Sequence, residues 1–167
     1  GETTTNTITV MTKDGRVARI TISGLMTELD GDADSSVIEI GSADVIVTVD
    51  GENILKSDSY DDAVIHVTDG SLTLTSSTGG SLTTDGNNIG AEIGSSEDED
   101  FNGSIIIEGD LTHVAGSASS SSDGAAIGSG DGGDFNGSVT SRGNADVTAI
   151  SEDEGAGIGS GDGGNFN

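Results

Sequence analysis

The sequence predicts an all-β, right-handed parallel β-helix, and three observations carry that prediction. The phrase Gly90-Ala-Glu-Ile-Gly94 returns as Gly124-Ala-Ala-Ile-Gly128 and as Gly155-Ala-Gly-Ile-Gly159. A Phe-Asn pair follows each copy, at Phe101-Asn102, Phe135-Asn136 and Phe166-Asn167, and both landmarks step by 34 and then 31 residues. The remaining apolar residues fall in short alternating, β-branched runs separated by Gly and Asp, the pattern of half-buried strands and turns. A period in this range marks a solenoid, propeller or array, whose units bury their apolar faces by stacking on one another. A propeller blade needs four strands in about 40–45 residues, and up-and-down barrels carry longer strands. Three short strands per repeat fit one coil of a β-helix.

The elements follow in order. Residues 3–10 alternate and read as a strand, and so do residues 16–23, with Asp14-Gly15 as the turn between them. This stretch, residues 1–35, is predicted to form an N-terminal hairpin or first coil that covers the end of the solenoid, because an open end exposes strand edges and core. Asp30-Gly-Asp-Ala-Asp34 reads as an acidic loop. The coils proper are assigned to residues 36–167, in one structural domain with the cap. Val37-Ile-Glu-Ile40, Val45-Ile-Val-Thr-Val49, Ala63-Val-Ile-His-Val67 and Leu72-Thr-Leu-Thr75 read as strands, punctuated by Gly41-Ser42, Asp50-Gly51, Asp69-Gly70 and Gly79-Gly80. Only residues 51–56 show a marginal helical pattern. In the stricter second half, Ser104–Glu108, Leu111–Val114 and the Gly-Ala-Xaa-Ile-Gly phrase supply the strands of one repeat. Ser138–Ser141, Ala145–Ile150 and the next phrase supply those of the following one. The extra residues of the longer repeat fall in the Ser117–Ser122 tract, which a solenoid absorbs as a bulging loop.

Within the phrase, Ile93, Ile127 and Ile158 are predicted to point inward and stack, with the flanking glycines permitting close approach of adjacent backbones. Phe101, Phe135 and Phe166 recur once per coil and read as an aromatic stack, either in the core or as a surface ladder for sugars. Tyr60 is the only other aromatic residue, and Cys and Pro are absent. The core must therefore rest on Ile, Val, Leu and Ala.

Formal charge is −25, from 30 acidic and 5 basic residues. With no basic stripe, nucleic acid is excluded as a partner, and anionic membrane surfaces would repel the chain. No apolar run approaches the about 20 residues of a membrane span, and no signal peptide is evident. The charge serves either bulk solubility or a specific cation role.

From Asp50-Gly-Glu-Asn-Ile-Leu-Lys56 through Ala63-Val-Ile-His-Val-Thr-Asp-Gly-Ser-Leu-Thr-Leu-Thr75, Gly80-Ser-Leu-Thr83 and Gly90-Ala-Glu-Ile-Gly94, the succession resembles a family of bacterial secreted or cell-surface β-helix proteins described as carbohydrate-binding domains. The resemblance spans about residues 36–167. It implies a right-handed parallel β-helix, a secreted or cell-surface setting, binding rather than catalysis, and association with plant or acidic polysaccharides and with calcium. The chain departs from the family pattern in being far more acidic and in stopping within a third repeat.

Calcium is the first chemical candidate. An acidic loop follows each phrase, and stacking aligns Glu97 with Asp131 and Asp162, and Asp100 with Asp134 and Asn165. Ca²⁺ takes six to eight oxygens, which Asp side chains and Gly-loop carbonyls can supply. Carboxylates stacked at the ~4.8 Å strand spacing repel one another without a cation. The competing reading is a set of solvated turns. Catalysis of the polysaccharide lyase or glycosidase kind is disfavoured. Arg142 is the only basic side chain of the repeated half apart from His113, and both His66 and His113 lie in strands, where structural roles are expected. Asn102-Gly-Ser104 and Asn136-Gly-Ser138 match glycosylation acceptors but also read as plain Asn-Gly turns. The function expected is a non-catalytic carbohydrate-binding or adhesion module held by calcium, with a polysaccharide or surface glycan as partner. The alternatives are a structural stalk or filament subunit, with end-to-end self-association, and a lyase-like enzyme.

Overall fold

The computed structural model describes residues 4–12, 15–31, 35–86, 89–116 and 123–167. The first coil contains β1 (Ile8–Thr9), β2 (Val17–Ser23) and β3 (Met26–Leu29). The second contains β4 (Ile38–Gly41), β5 (Asp44–Asp50) and β6 (Glu52–Ser57), and the third β7 (Ile65–Val67), β8 (Ser71–Ser76) and β9 (Ser81–Gly86). The fourth follows with β10 (Ile93–Gly94), β11 (Ser104–Gly109) and β12 (Thr112–Gly116), and the fifth with β13 (Ile127–Gly128), β14 (Ser138–Gly143) and β15 (Asp146–Ile150). β16 (Ile158–Gly159) opens a sixth.

Each strand pairs in parallel with its counterpart one coil away. The result is a six-stranded sheet of short strands, β1-β4-β7-β10-β13-β16, and two five-stranded sheets, β2-β5-β8-β11-β14 and β3-β6-β9-β12-β15. Parallel strands joined by a crossover are right-handed almost without exception, which makes this a right-handed parallel β-helix. Among the described residues there is no helix. Residues 51–56, the one stretch with a helical pattern, lie in and beside β6. Their strand state follows from tertiary pairing: Glu52 to Ser57 align with Ser81 to Gly86, and Met26 to Leu29 with Ile54 to Ser57.

The N-terminal segment takes the coil form of the two offered for it. β1 and β2 do not pair with each other; β1 pairs with β4 and β2 with β5. Asp14 of the expected turn, Thr3, residues 32–34 of the acidic loop and the Ser117–Ser122 insertion lie outside the described residues.

The core is a column of small and branched side chains. One register line joins Ile8, Ile38, Ile65, Ile93, Ile127 and Ile158 through successive pairs. Strict alternation sends Val45, Val47, Leu72, Leu74, Ile105 and Ile107 inward, each 0–1 % exposed. The glycines of the repeated phrase serve the close stacking. Gly94 and Gly128 sit at φ 145° and 148°, and a Cβ on either would run into the carbonyl of the glycine one coil on. Phe101 and Phe135 are buried and stack at 5.3 Å between centroids; Phe166 stacks on Phe135 at 4.9 Å but is 68 % exposed.

Not every inward position is apolar. Asn53 is fully buried, where its Oδ1 accepts from the Leu25 N–H at 2.9 Å and its amide donates to the Asp50 carbonyl at 3.0 Å. It thereby satisfies backbone groups at a corner where the sheet ladder is interrupted.

Candidate functional site

The most regular polar feature is a groove along the solenoid axis, at the corner where the short-stranded sheet turns into the β2-β5-β8-β11-β14 sheet. It has a volume of about 440 Å³. One wall is the register column Asp44, Ser71, Ser104 and Ser138, the first residues of four successive strands. The other is formed by Asp69, Asn102 and Asn136. Gly70, Gly103 and Gly137 form the floor between them. The floor is glycine for a structural reason: a Cβ on Gly70 would meet the Ala43 carbonyl, and one on Gly137 the Gly103 carbonyl. The side chain that packing forbids is what leaves the groove open.

Backbone groups in the groove are already committed to joining coils. The Asn102 N–H donates to the Thr68 carbonyl at 2.9 Å, Asn136 N–H to Phe101 at 2.8 Å, and Ser138 N–H to Gly103 at 3.0 Å. The side chains form ladders of their own. Asn136 Nδ2 donates to Asn102 Oδ1 at 3.2 Å, and Asn167 Nδ2 to Asn136 Oδ1 at 2.8 Å. Ser138 Oγ donates to Ser104 Oγ at 3.3 Å, and Ser71 Oγ to Asp44 Oδ1 at 2.6 Å. Asn136 and Asn167 thus each pass an amide N–H along the ladder, and Asn102 closes it as an acceptor. These residues were not singled out for binding from the sequence. The repeated string Phe-Asn-Gly-Ser held the signal, but Asn-Gly also marks turns.

The two acidic columns singled out from the sequence differ. In the first, the Asp134 N–H donates to Asp100 Oδ1 at 3.0 Å, and the Asn165 backbone and side-chain N–H groups both reach Asp134 Oδ1 at 2.8 Å. Those bonds from Asn165 hold the Asp134 carboxyl below the usual carboxylate range. Amide donors thus offset the charge that a cation was expected to offset.

Among the described residues the second column has no such donors. Glu97 is pushed up by partial desolvation and by Asp61, with which it shares a hydrogen bond, and further by Asp98 and Asp131. Asp123 is raised by desolvation and by Asp153, Asp131 and Asp162, and Glu154 by Asp162, Asp153 and Asp123. Glu97, Asp131 and Asp162 therefore belong to an acidic ridge that also draws in Asp61, Asp123, Asp153 and Glu154 from the preceding corners. Backbone bonds fix that proximity: Glu97 N–H to the Asp61 carbonyl at 2.9 Å, and Asp162 N–H to the Asp123 carbonyl at 2.8 Å. Among the described residues, no group of three or more such side chains is arranged to hold a metal ion. A cation on the ridge would have to draw its ligands in.

Two further titratable groups sit apart from these features. His113 is buried; Nδ1 lies 3.0 Å from the Leu82 carbonyl, and burial brings its pKa down to about 4. Glu92, the variable residue of the first repeated phrase, is 3 % exposed, and burial lifts it to about 7 against the opposing bond from the Gly86 backbone. At the far end of the core, Ile107, Val139, Val147, Ala149 and Ile158 line an apolar recess, with Ile158 and Ile150 each 48 % exposed. No helix among the described residues is long and apolar enough to cross a membrane.

Compared with models of known protein families, with curated proteins and with solved structures, the chain matches none.

Proposed function

We propose that the protein is a non-catalytic carbohydrate-binding module of a secreted or cell-surface protein, and that the axial groove is where a linear glycan lies. The observation that carries this reading is the groove's periodicity. Equivalent Asn and Ser side chains recur once per coil, at the ~4.8 Å strand spacing, close to the length of one sugar residue in an extended chain. A polymer aligned with the axis would meet the same donor and acceptor pair at each step, and weak contacts would add along its length. The groove lacks an aromatic platform, so recognition rests on hydrogen bonds to hydroxyl groups. The resemblance to carbohydrate-binding β-helix proteins supports the same class of ligand.

Calcium enters the reading as a structural ion on the acidic ridge. Glu97, Asp131 and Asp162, with Asp61 and Asp123, are the residues that would hold it. Their mutual repulsion supports this role, and the amide-bonded Asp100, Asp134 and Asn165 column contributes less.

The test is retention on insoluble polysaccharides, comparing the parent chain with Asn102→Leu/Asn136→Leu. Loss of retention by the double variant, with an unchanged β-sheet circular dichroism spectrum, supports the groove. Equal retention by both proteins on every matrix rejects it.

A further inference from the structure

We infer that the groove selects extended glycans that carry amino groups over neutral ones, and rejects those that carry carboxylates. The inference rests on the axial groove being the glycan site and adds the chemical class of its ligand.

The groove is not uniform along its length. In the fourth and fifth coils its walls are neutral, made by Asn102, Ser104, Asn136 and Ser138. In the second and third coils one wall position of each coil is a carboxylate, while Ser71 keeps the column neutral in the third. Asp44 stands in the serine column, one coil before Ser71, and Asp69 stands at the wall position that Asn102 takes one coil later. Among the described residues neither carboxylate is paired with a cation: the ion pairs there involve Lys56, His66 and Arg142, with Asp85, Glu39, Glu99 and Glu108 as partners. Asp44 accepts one hydrogen bond, from the Ser71 hydroxyl, and Asp69 is exposed.

The consequence follows from charge and geometry. A sugar in the fourth or fifth coil meets only neutral donors and acceptors. A sugar one or two coils earlier lies against Asp69 and Asp44. A protonated amine there makes a charge-assisted hydrogen bond, shorter and stronger than a neutral one. A carboxylate there faces two like charges, on a chain whose net charge is −25. A glycan with an amine on each sugar satisfies both ends of the groove at once, because one strand spacing separates successive sites.

The test measures retention of the parent chain on chitin, chitosan and polygalacturonate at moderate salt, at a pH where chitosan amines are protonated. Three variants accompany it: Asp44→Asn/Asp69→Asn, Asn102→Leu/Asn136→Leu, and Asp153→Asn/Glu154→Gln, which removes the same charge from the ridge. Expected are binding to chitosan about tenfold tighter than to chitin, the factor that about 1.4 kcal/mol confers, and none to polygalacturonate. Asp44→Asn/Asp69→Asn should erase the chitosan preference, bringing chitosan retention to the level the same variant shows on chitin, and the ridge variant should keep the preference. Equal binding of the parent to chitin and chitosan, or equal loss in the ridge and groove charge variants, overturns the inference while leaving the groove as the site. If Asn102→Leu/Asn136→Leu changes nothing on any matrix, the site itself is wrong and the inference falls with it.

Discussion

Nε2 of His66 lies 2.8 Å from Oε2 of Glu99, one coil away, while its Nδ1 lies 2.9 Å from both carboxylate oxygens of Glu39 on the opposite side. A neutral imidazole has one N–H and cannot donate to both partners. The arrangement therefore suits the imidazolium form, clamped between two carboxylates across three successive coils. Both histidines lie in strands, as the sequence indicates: His66 is an intercoil bridge with both ring nitrogens bonded, whereas His113 is buried with only Nδ1 bonded.

The His66 bridge predicts a pH dependence of stability. Burial lowers its pKa, but the bonds to Glu39 and Glu99 outweigh burial and the net shift is upward. A group whose folded pKa exceeds its unfolded value stabilises the fold fully below the unfolded value, about 6.5 for histidine. That stabilisation is lost as pH rises through the higher folded value. His66→Gln should remove this component, lowering stability by about 1 kcal/mol at pH 6 and by less at pH 9. Urea unfolding of both proteins at the two pH values checks it, and an equal difference at both would refute the bridge.

Glu92 predicts a second, larger pH effect. Its folded pKa of about 7 lies above the ordinary glutamate value of 4.5, so the folded state holds the proton more tightly. Stability is then highest below pH 4.5 and declines as pH rises to about 7, by roughly 3 kcal/mol for a shift of this size. Oε2 of Glu92 has no hydrogen-bond partner among the described residues, so beyond the bond from the Gly86 backbone ionisation leaves the buried charge without support. Glu92→Gln should match the parent near pH 4 and exceed it in melting temperature at pH 8. A variant less stable than the parent at pH 8 would mean that the carboxylate gains more than the Gly86 bond gives it.

The fold was legible because its signals are periodic, and the site was not because its signals are shared. Ile93, Ile127 and Ile158 repeat with the period of the coil, and only stacking explains such a repeat. Asn102 and Asn136 repeat just as faithfully, but Asn-Gly is also a turn, and the groove exists only once Gly103 and Gly137 lie beside them. The two acidic columns look alike as residues. What separates them is Asn165, whose amide turns one into a hydrogen-bonded ladder, and Asp61 and Asp123, which reach the other from corners remote in sequence.

Gly128 tests the reason for the repeated phrase. Its φ of 148° is rarely open to other residues, and a Cβ there would enter the space of the Gly159 carbonyl. Gly128→Ala combines backbone strain with a clash between coils and should cost at least about 3 kcal/mol. Gly79 also has positive φ, at 77°, but nothing lies within 4 Å of its would-be Cβ. Gly79→Ala should therefore cost only about 1–2 kcal/mol. Denaturant midpoints of the two variants decide, and equal losses would show that close packing between coils is not what the phrase provides.

The acidic ridge predicts a response to divalent cations that monovalent salt does not reproduce. Glu97, Asp123 and Glu154 are all raised, so each favours the folded state at low pH and disfavours it once ionised. A divalent ion bound among them reverses that cost. Binding to the folded state stabilises it by about 2.7 kcal/mol at a hundredfold excess over Kd. Calcium at pH 7 should thus raise the melting temperature by several degrees, and a chelator should reverse the rise. Screening by sodium chloride at matched ionic strength should give a smaller shift, since it weakens exposed pairs without bridging them. Asp131→Asn/Asp162→Asn should raise the stability of the calcium-free protein, by removing repulsion, and abolish the calcium-specific part of the shift. Asp100→Asn should preserve that part, because its column is held by amide donors. Calcium and sodium shifts of equal size at matched ionic strength would reduce the ridge to a solvated acidic face.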